Sequence, residues 1–219
     1  MAARQPQPAQ PIKFYTYSIS GHGHRVELLL SMLGLPFQRI EVDLRTREQK
    51  SPAFLARNPF GQVPAIEDGD VTLGDSNTIL VYLAKRYDAG GRWLPDDAVG
   101  AARVQRWLSV AAGELYNGPV AARGYALFRN KAVPPEVIET AARIFALLEQ
   151  HLAGQRFLAG EHPTLADVAI YSYTALVDEG RISLEPYPNL RAWLVRFEAL
   201  PGFVPVRRSS LPELKEVAA

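Results

Sequence analysis

An α/β domain followed by an all-helical domain is the architecture this sequence predicts. Three observations carry it: strand and helix signals alternate over residues 12–88, no convincing strand signal recurs after residue 100, and the turn-rich run DAGGRWLPDDAVG separates the two regions. At 219 residues and 47% hydrophobic content, the chain can bury a substantial core.

Ile12 to Tyr17 (IKFYTY) is short and rich in β-branched and aromatic residues, which predicts a strand. Val26, Leu29, Leu30 and Leu33 then recur at helical spacing until Gly34 and Pro36 stop the helix. Phe37 to Val42 reads as a second strand, so the first three elements form a βαβ unit with parallel strands and a right-handed crossover. A short helix near Pro52 to Arg57 follows, and PAIEDGDVTL has two apolar segments around Asp68-Gly69-Asp70, a hairpin signature. Ser76 is expected to cap a helix that carries Ile79, Leu80, Leu83 and Tyr87. The order is β α β α β β α.

The second half reads as helices alone. Ala101 to Tyr116 and onward is one, bent or interrupted near Gly118-Pro119, and Pro134 to Leu152 is another, with prolines at its tolerant first turn. Thr164 to Val177 opens on Thr164-Leu165-Ala166-Asp167, a capping box with Asp in place of Glu, and Leu190 to Leu200 is the last. The expected organisation is a disordered tail over 1–11, an α/β domain over 12–88, a linker over 89–100, a helical domain over 101–207 and a C-terminal tail over 208–219.

Composition narrows the chemistry. Lys plus Arg number 24 against 23 Asp plus Glu, and no run of one sign suggests a nucleic-acid patch or a membrane-surface tail, which favours a small-molecule partner. Nothing approaches 18 continuous apolar residues, and MAARQPQPAQP lacks the apolar stretch of a secretory signal, so the expected location is cytoplasmic. Cysteine is absent, which removes disulfides, thiolate metal ligands and a cysteine nucleophile; sulfur chemistry would need sulfur supplied by a ligand.

Three segments invite a functional reading. In NPFGQVP (58–64) the Val63-Pro64 bond is a candidate cis peptide that would aim the Val63 backbone at an extended, peptide-like ligand, although the segment equally fits a proline-delimited loop. At Gly74-Asp75-Ser76, a helix entrance with a hydroxyl suits a ligand carboxylate and Asp75 suits an ammonium; a plain N-cap explains Ser76 as well. His22 and His24 have no third ligand at a metal-binding spacing, so no metal is expected, and SGHGHR lacks the phosphate-loop pattern. A triad hydrolase is disfavoured because no G-x-S-x-G elbow occurs. What remains is Ser20, a hydroxyl at a helix entrance suited to stabilising an anion such as a thiolate.

Taken together, Ser20-Gly-His-Gly-His-Arg-Val26 after a strand, NPFGQVP, Gly74-Asp-Ser76 and Thr164-Leu-Ala-Asp167 make the chain resemble a cytosolic-type glutathione S-transferase of serine-using, theta- or nu-like type, from about Ile12 to Pro205. The resemblance implies a thioredoxin-like first domain, an all-helical second domain, a homodimer, and glutathione as co-substrate with no tightly bound cofactor. It assigns Ser20 to the glutathione sulfur, Val63 and the following Pro64 to the cysteinyl backbone, and Asp75 with Ser76 to the γ-glutamyl end, with Asp where Glu or Gln is commoner. Gln49 and Lys50 occupy the region where relatives bind the glycine carboxylate; Lys50 also fits a solvated surface lysine. Ser18, Tyr15 and Tyr17 lie near enough to compete with Ser20, which is preferred for its spacing to Val26.

The implied mechanism is thiol activation. A thiol with pKa near 8.5 is only a few per cent ionised at neutral pH, and a charge-assisted hydrogen bond worth about 1.5 to 3 kcal/mol would lower it by roughly one to two units. The thiolate would then attack a small hydrophobic electrophile held against His22, Tyr116, Tyr125 and Phe128, although the last three fit core or dimer aromatics equally well. Disulfide reduction, peroxide reduction or isomerisation on the same scaffold, and a non-catalytic binding role, are the alternatives.

Overall fold

Strand β1 (Ile12–Thr16) is buried at every position but Lys13, and it takes an inner position in a four-stranded sheet of order β2-β1-β3-β4. The computed structural model describes residues 6–212. β1 pairs in parallel with β2 (Phe37–Glu41), Ile12 opposite Phe37, and the crossover is α1 (Gly21–Met32), as the sequence predicts. On its other side β1 runs antiparallel to β3 (Ala65–Asp68), Phe14 opposite Ile66, and β3 turns through Gly69-Asp70 into β4 (Val71–Gly74). Gly69 has φ 58°, a left-handed conformation that tight hairpins favour.

Alternation along β1 sorts its side chains between two layers. Ile12 and Phe14 join the core shared with α1 and α3 (Ser76–Tyr87), whereas Tyr15 packs with Val42, Ala65 and Phe54 of α2 (Pro52–Leu55) on the opposite face. The cap of α3 differs from expectation. Asp75, not Ser76, is the N-cap: its carboxylate accepts the Thr78 N–H at 2.9 Å from a backbone with φ 70°, and Ser76 is the first helical residue.

The second domain is helical, and among the described residues no strand follows Gly74. It comprises α4 (Ala98–Ala112), α5 (Ala121–Arg123) between two wide π turns (Tyr116–Val120 and Gly124–Phe128), α6 (Pro135–Leu152), α7 (Leu165–Ala175) and α8 (Pro188–Glu198). The expected break near Gly118-Pro119 is such a wide turn, where proline supplies no N–H to an α-helical ladder. Every residue of α7 is buried, its polar Asp167, Ser172 and Thr174 included, and it packs against both α1 and α4. Its capping box forms as predicted. Asp167 also accepts from Leu158 N and Trp193 Nε1, so one buried carboxylate ties α7 to α8 and to the preceding loop, while burial pushes its pKa up.

The junction is more ordered than a turn-rich sequence suggests. Trp93 and Leu94 are buried in the common core, the Trp93 carbonyl accepts the Leu165 N–H, and α4 begins at Ala98 behind an Asp97 cap rather than at Ala101. Residues 1–5 and 213–219 of the expected tails lie outside the described residues. The stretch before the latter is pinned: Arg208 pairs with Asp178, Ser209 N–H donates to Glu179, and Arg181 donates to the Pro212 carbonyl.

Candidate active site

Between β1 and α1 the chain turns, Ser20 N–H donating to the Tyr17 carbonyl, and Ser20 becomes the N-cap of α1. Its Oγ accepts the Gly23 N–H at 3.1 Å, which leaves the hydroxyl proton available for an outside acceptor. Ser20 is half-buried and faces a cavity of about 470 Å³ between the two domains. The glycines around it are there for space: a Cβ on Gly21 would lie 2.7 Å from the Tyr173 ring, and one on Gly23 only 1.9 Å from Thr16 Oγ1.

The loop 58–64 forms the opposite wall. Buried Asn58 shapes it, accepting from Phe60 N–H and donating to the Gln62 carbonyl, and a Cβ on Gly74 would strike the Asn58 amide. Val63-Pro64 is cis, and both residues line the cavity together with Gln49, Asp75 and Ser76. Lys50 does not line it: this exposed lysine donates to the Phe60 carbonyl at 3.0 Å and sits against Gly61, at the cavity's edge. From the helical domain the two wide turns bring in Tyr116 and Phe128. Tyr125 is not brought in; its ring packs under the Arg129 guanidinium at 4.5 Å.

The rivals of Ser20 separate by position. Tyr15 lies beneath Arg57 and against Phe54, Ser18 lines a different, smaller cavity, and Tyr17 does face the main one. His22 lines the cavity as well, while His24 is buried behind it, bridging Ser172 and the Val204 carbonyl.

Sequence reasoning missed the cavity's cations. Arg25 is 1% exposed, its Nη1 lies 3.1 Å from His22 Nδ1 and 3.3 Å from Ser76 Oγ, and its guanidinium sits 5.4 Å over the Tyr173 ring. Among the described residues no carboxylate is bonded to it, and burial, opposed by the nearby Tyr173 and Asp75, lowers its pKa to about 10. Arg123 is equally buried but is paired with buried Glu179 at 2.7 Å. Burial, then Arg25 and Arg123, hold the His22 imidazole well below its ordinary pKa, and burial raises the Tyr173 phenol. The available signal was position: Arg25 adjoins Val26 and falls three and four residues before the core positions Leu28 and Leu29.

A larger cavity of about 630 Å³ between α4 and α6, lined by Trp107 and His151 among others, contains none of the expected site residues. Among the described residues no group of three or more His, Asp or Glu side chains is placed to hold a metal ion, and no helix is long and apolar enough to cross a membrane.

Comparison with known proteins converges on one family. The family model described as "Glutathione S-transferase, N-terminal domain" matches residues 11–85, and its C-terminal counterpart matches 107–201. Among curated proteins, glutathione S-transferase 3 of Zea mays is 33% identical over 205 residues, 88% of this chain and 91% of that one. Glutathione S-transferase theta-3 of Mus musculus is 35% identical over 179 residues, covering 77% and 74%. Among solved structures, a glutathione S-transferase from Pseudomonas fluorescens superposes with a TM-score of 0.83 at 31% identity, covering 90% of this chain and 99% of that one. A glutathione transferase homologue from Drosophila mojavensis, solved with bound glutathione, gives 0.81 at 31% identity, covering 87% and 89%.

Proposed function

The chain belongs to the glutathione S-transferase family, and from that premise we propose that it ionises glutathione at Ser20 and delivers the thiolate to a small electrophile in the cavity between its domains. Its activity is glutathione transfer, with glutathione as co-substrate. The observation that carries the assignment of Ser20 is its hydroxyl: the oxygen is engaged by Gly23 N–H and the proton is free to point at a sulfur. A backbone donor on the oxygen strengthens the O–H as a donor in turn.

The rest of the site follows from what each wall offers. Val63 presents backbone groups to an extended peptide, Ser76 and the first turn of α3 present donors to the γ-glutamyl carboxylate, and Asp75 faces the α-ammonium. Gln49 lines the glycine end, with Lys50 beside it at the rim. Tyr116 and Phe128, 50% and 57% exposed, supply an apolar surface for the electrophile, His22 of α1 lines the same cavity with its ring 6.3 Å from that of Tyr116, and Tyr125 drops out of that set. Two copies assemble as a homodimer in the cytoplasm.

Retention on immobilised glutathione followed by conjugation assays with an aryl halide, a hydroperoxide and a small disulfide tests this reading. Binding with thioether formation is the expected result; binding with peroxide or disulfide turnover alone moves the chain to reduction, and failure to bind removes the catalytic reading.

A further inference from the structure

Every hydrogen bond that buried Arg25 makes among the described residues goes to a residue lining the cavity, His22 or Ser76. Among the described residues its Nε and Nη2 meet no acceptor. Placing a guanidinium in the interior without a bonded carboxylate is unfavourable, so its surviving bonds identify what it is there to hold.

A guanidinium only donates. His22 Nδ1, 3.1 Å from Arg25 Nη1, must therefore be the accepting nitrogen, and Ser76 Oγ approaches the same atom at 3.4 Å. The single proton of the neutral ring is left on Nε2. In His24 and His151 Nε2 is already satisfied by a backbone carbonyl, Val204 at 2.8 Å and Leu158 at 2.9 Å. In His22 it has no partner among the described residues, and the ring lies on the cavity wall, 4.9 Å from the Tyr173 ring and 6.3 Å from that of Tyr116. Burial and the two nearby cations keep the ring neutral, so the donor persists across physiological pH.

We propose that His22 is a catalytic hydrogen-bond donor to the electrophile, that Arg25 is the positioning residue that fixes its Nε2–H tautomer, and that the cavity accordingly favours electrophiles whose reacting carbon is conjugated to a carbonyl oxygen. This rests on the transferase reading. In the step, the glutathione thiol loses its proton to solvent and the thiolate sulfur bonds to the β-carbon of an α,β-unsaturated ketone. The C=C π pair shifts so that the carbonyl oxygen carries the negative charge of an enolate, the Nε2–H of His22 meets that oxygen, and water then protonates the α-carbon. The product is the saturated thioether, and His22 ends the cycle unchanged. A fixed donor aimed where charge develops is worth far more than one that solvent must reorganise to supply.

The test compares an α,β-unsaturated aryl ketone with benzyl chloride, which has no acceptor oxygen, in the full chain and in His22→Ala and His22→Gln. The expected result is a loss of about a hundredfold in kcat/KM for the ketone in His22→Ala, at least tenfold greater than any loss with benzyl chloride. Partial recovery is expected in His22→Gln, whose amide can donate from a similar reach, with no change in the thiol pKa of bound glutathione. Equal losses on both substrates, a shift in the thiol pKa, or a wild-type chain that conjugates benzyl chloride but not the ketone would overturn the proposal and leave the transferase reading intact. Absence of glutathione binding would overturn both. Nitrogen-15 spectra of the labelled imidazoles give a readout independent of activity: Nε2 of His22 protonated and Nδ1 bare supports the assignment, and the reverse tautomer overturns it.

Discussion

Ser20 Oγ accepts the Gly23 backbone N–H at 3.1 Å, and Gly23 can stand there only because it has no side chain, since a Cβ would fall 1.9 Å from Thr16 Oγ1. The helix entrance, the end of β1 and the candidate catalytic hydroxyl are thus one packed unit. Gly23→Ala should displace the entrance, lowering the melting temperature and cutting glutathione turnover by an order of magnitude or more. Adding Thr16→Ala removes the obstructing hydroxyl, so the double variant should regain part of both, a positive coupling readable in a double-mutant cycle. Losses that simply add would show that the clash is not the cause.

His24 offers a pH signature. Burial depresses its pKa from 6.5 to about 4, outweighing the hydrogen bond to the Val204 carbonyl, which acts the other way; Ser172 Oγ lies 2.9 Å from Nδ1. Unfolded, the same ring takes up a proton as pH falls through 6.5; folded, it does not until about 4. Its contribution is therefore intact above pH 6.5 and is lost as pH falls from there toward 4, by about 3 kcal/mol over the whole window. Urea unfolding across that window should show a shallower pH dependence in His24→Gln than in the wild type; parallel curves would contradict the assignment.

Glu179 has two tasks, pairing with Arg123 through one oxygen and accepting the Ser209 N–H at 2.6 Å through the other. Removing it strands a buried guanidinium beside the cavity. Glu179→Ala should lower stability by about 3 to 5 kcal/mol in urea unfolding, and hydrogen exchange at Ser209 should accelerate. A loss below about 1 kcal/mol would mean that Arg123 finds water or another acceptor.

Much of the fold is legible in the sequence because its signals are local. The spacing of Val26, Leu29 and Leu30, the Asp68-Gly69 turn and the Thr164–Asp167 box each fall within a few residues, and each forms where the sequence places it. The cap of α3 is less legible, since assigning it to Asp75 rather than Ser76 needs the φ of 70° that no residue type announces. The cavity's electrostatics are not local at all. Arg123 meets Glu179 across 56 positions and His24 meets Ser172 across 148, and Arg25 on a helix face reads as solvated until α3 and α7 close over it.

The proposed hydrogen bond from the Ser20 hydroxyl to the glutathione thiolate is read out by the thiolate absorbance of bound glutathione titrated against pH. Replacing Ser20 with Ala should raise the midpoint by about one to two units, the equivalent of a charge-assisted hydrogen bond of about 1.5 to 3 kcal/mol, while glutathione affinity is largely retained. A midpoint that does not move in Ser20→Ala, or that rises instead in Tyr17→Phe, would show that Ser20 does not stabilise the thiolate.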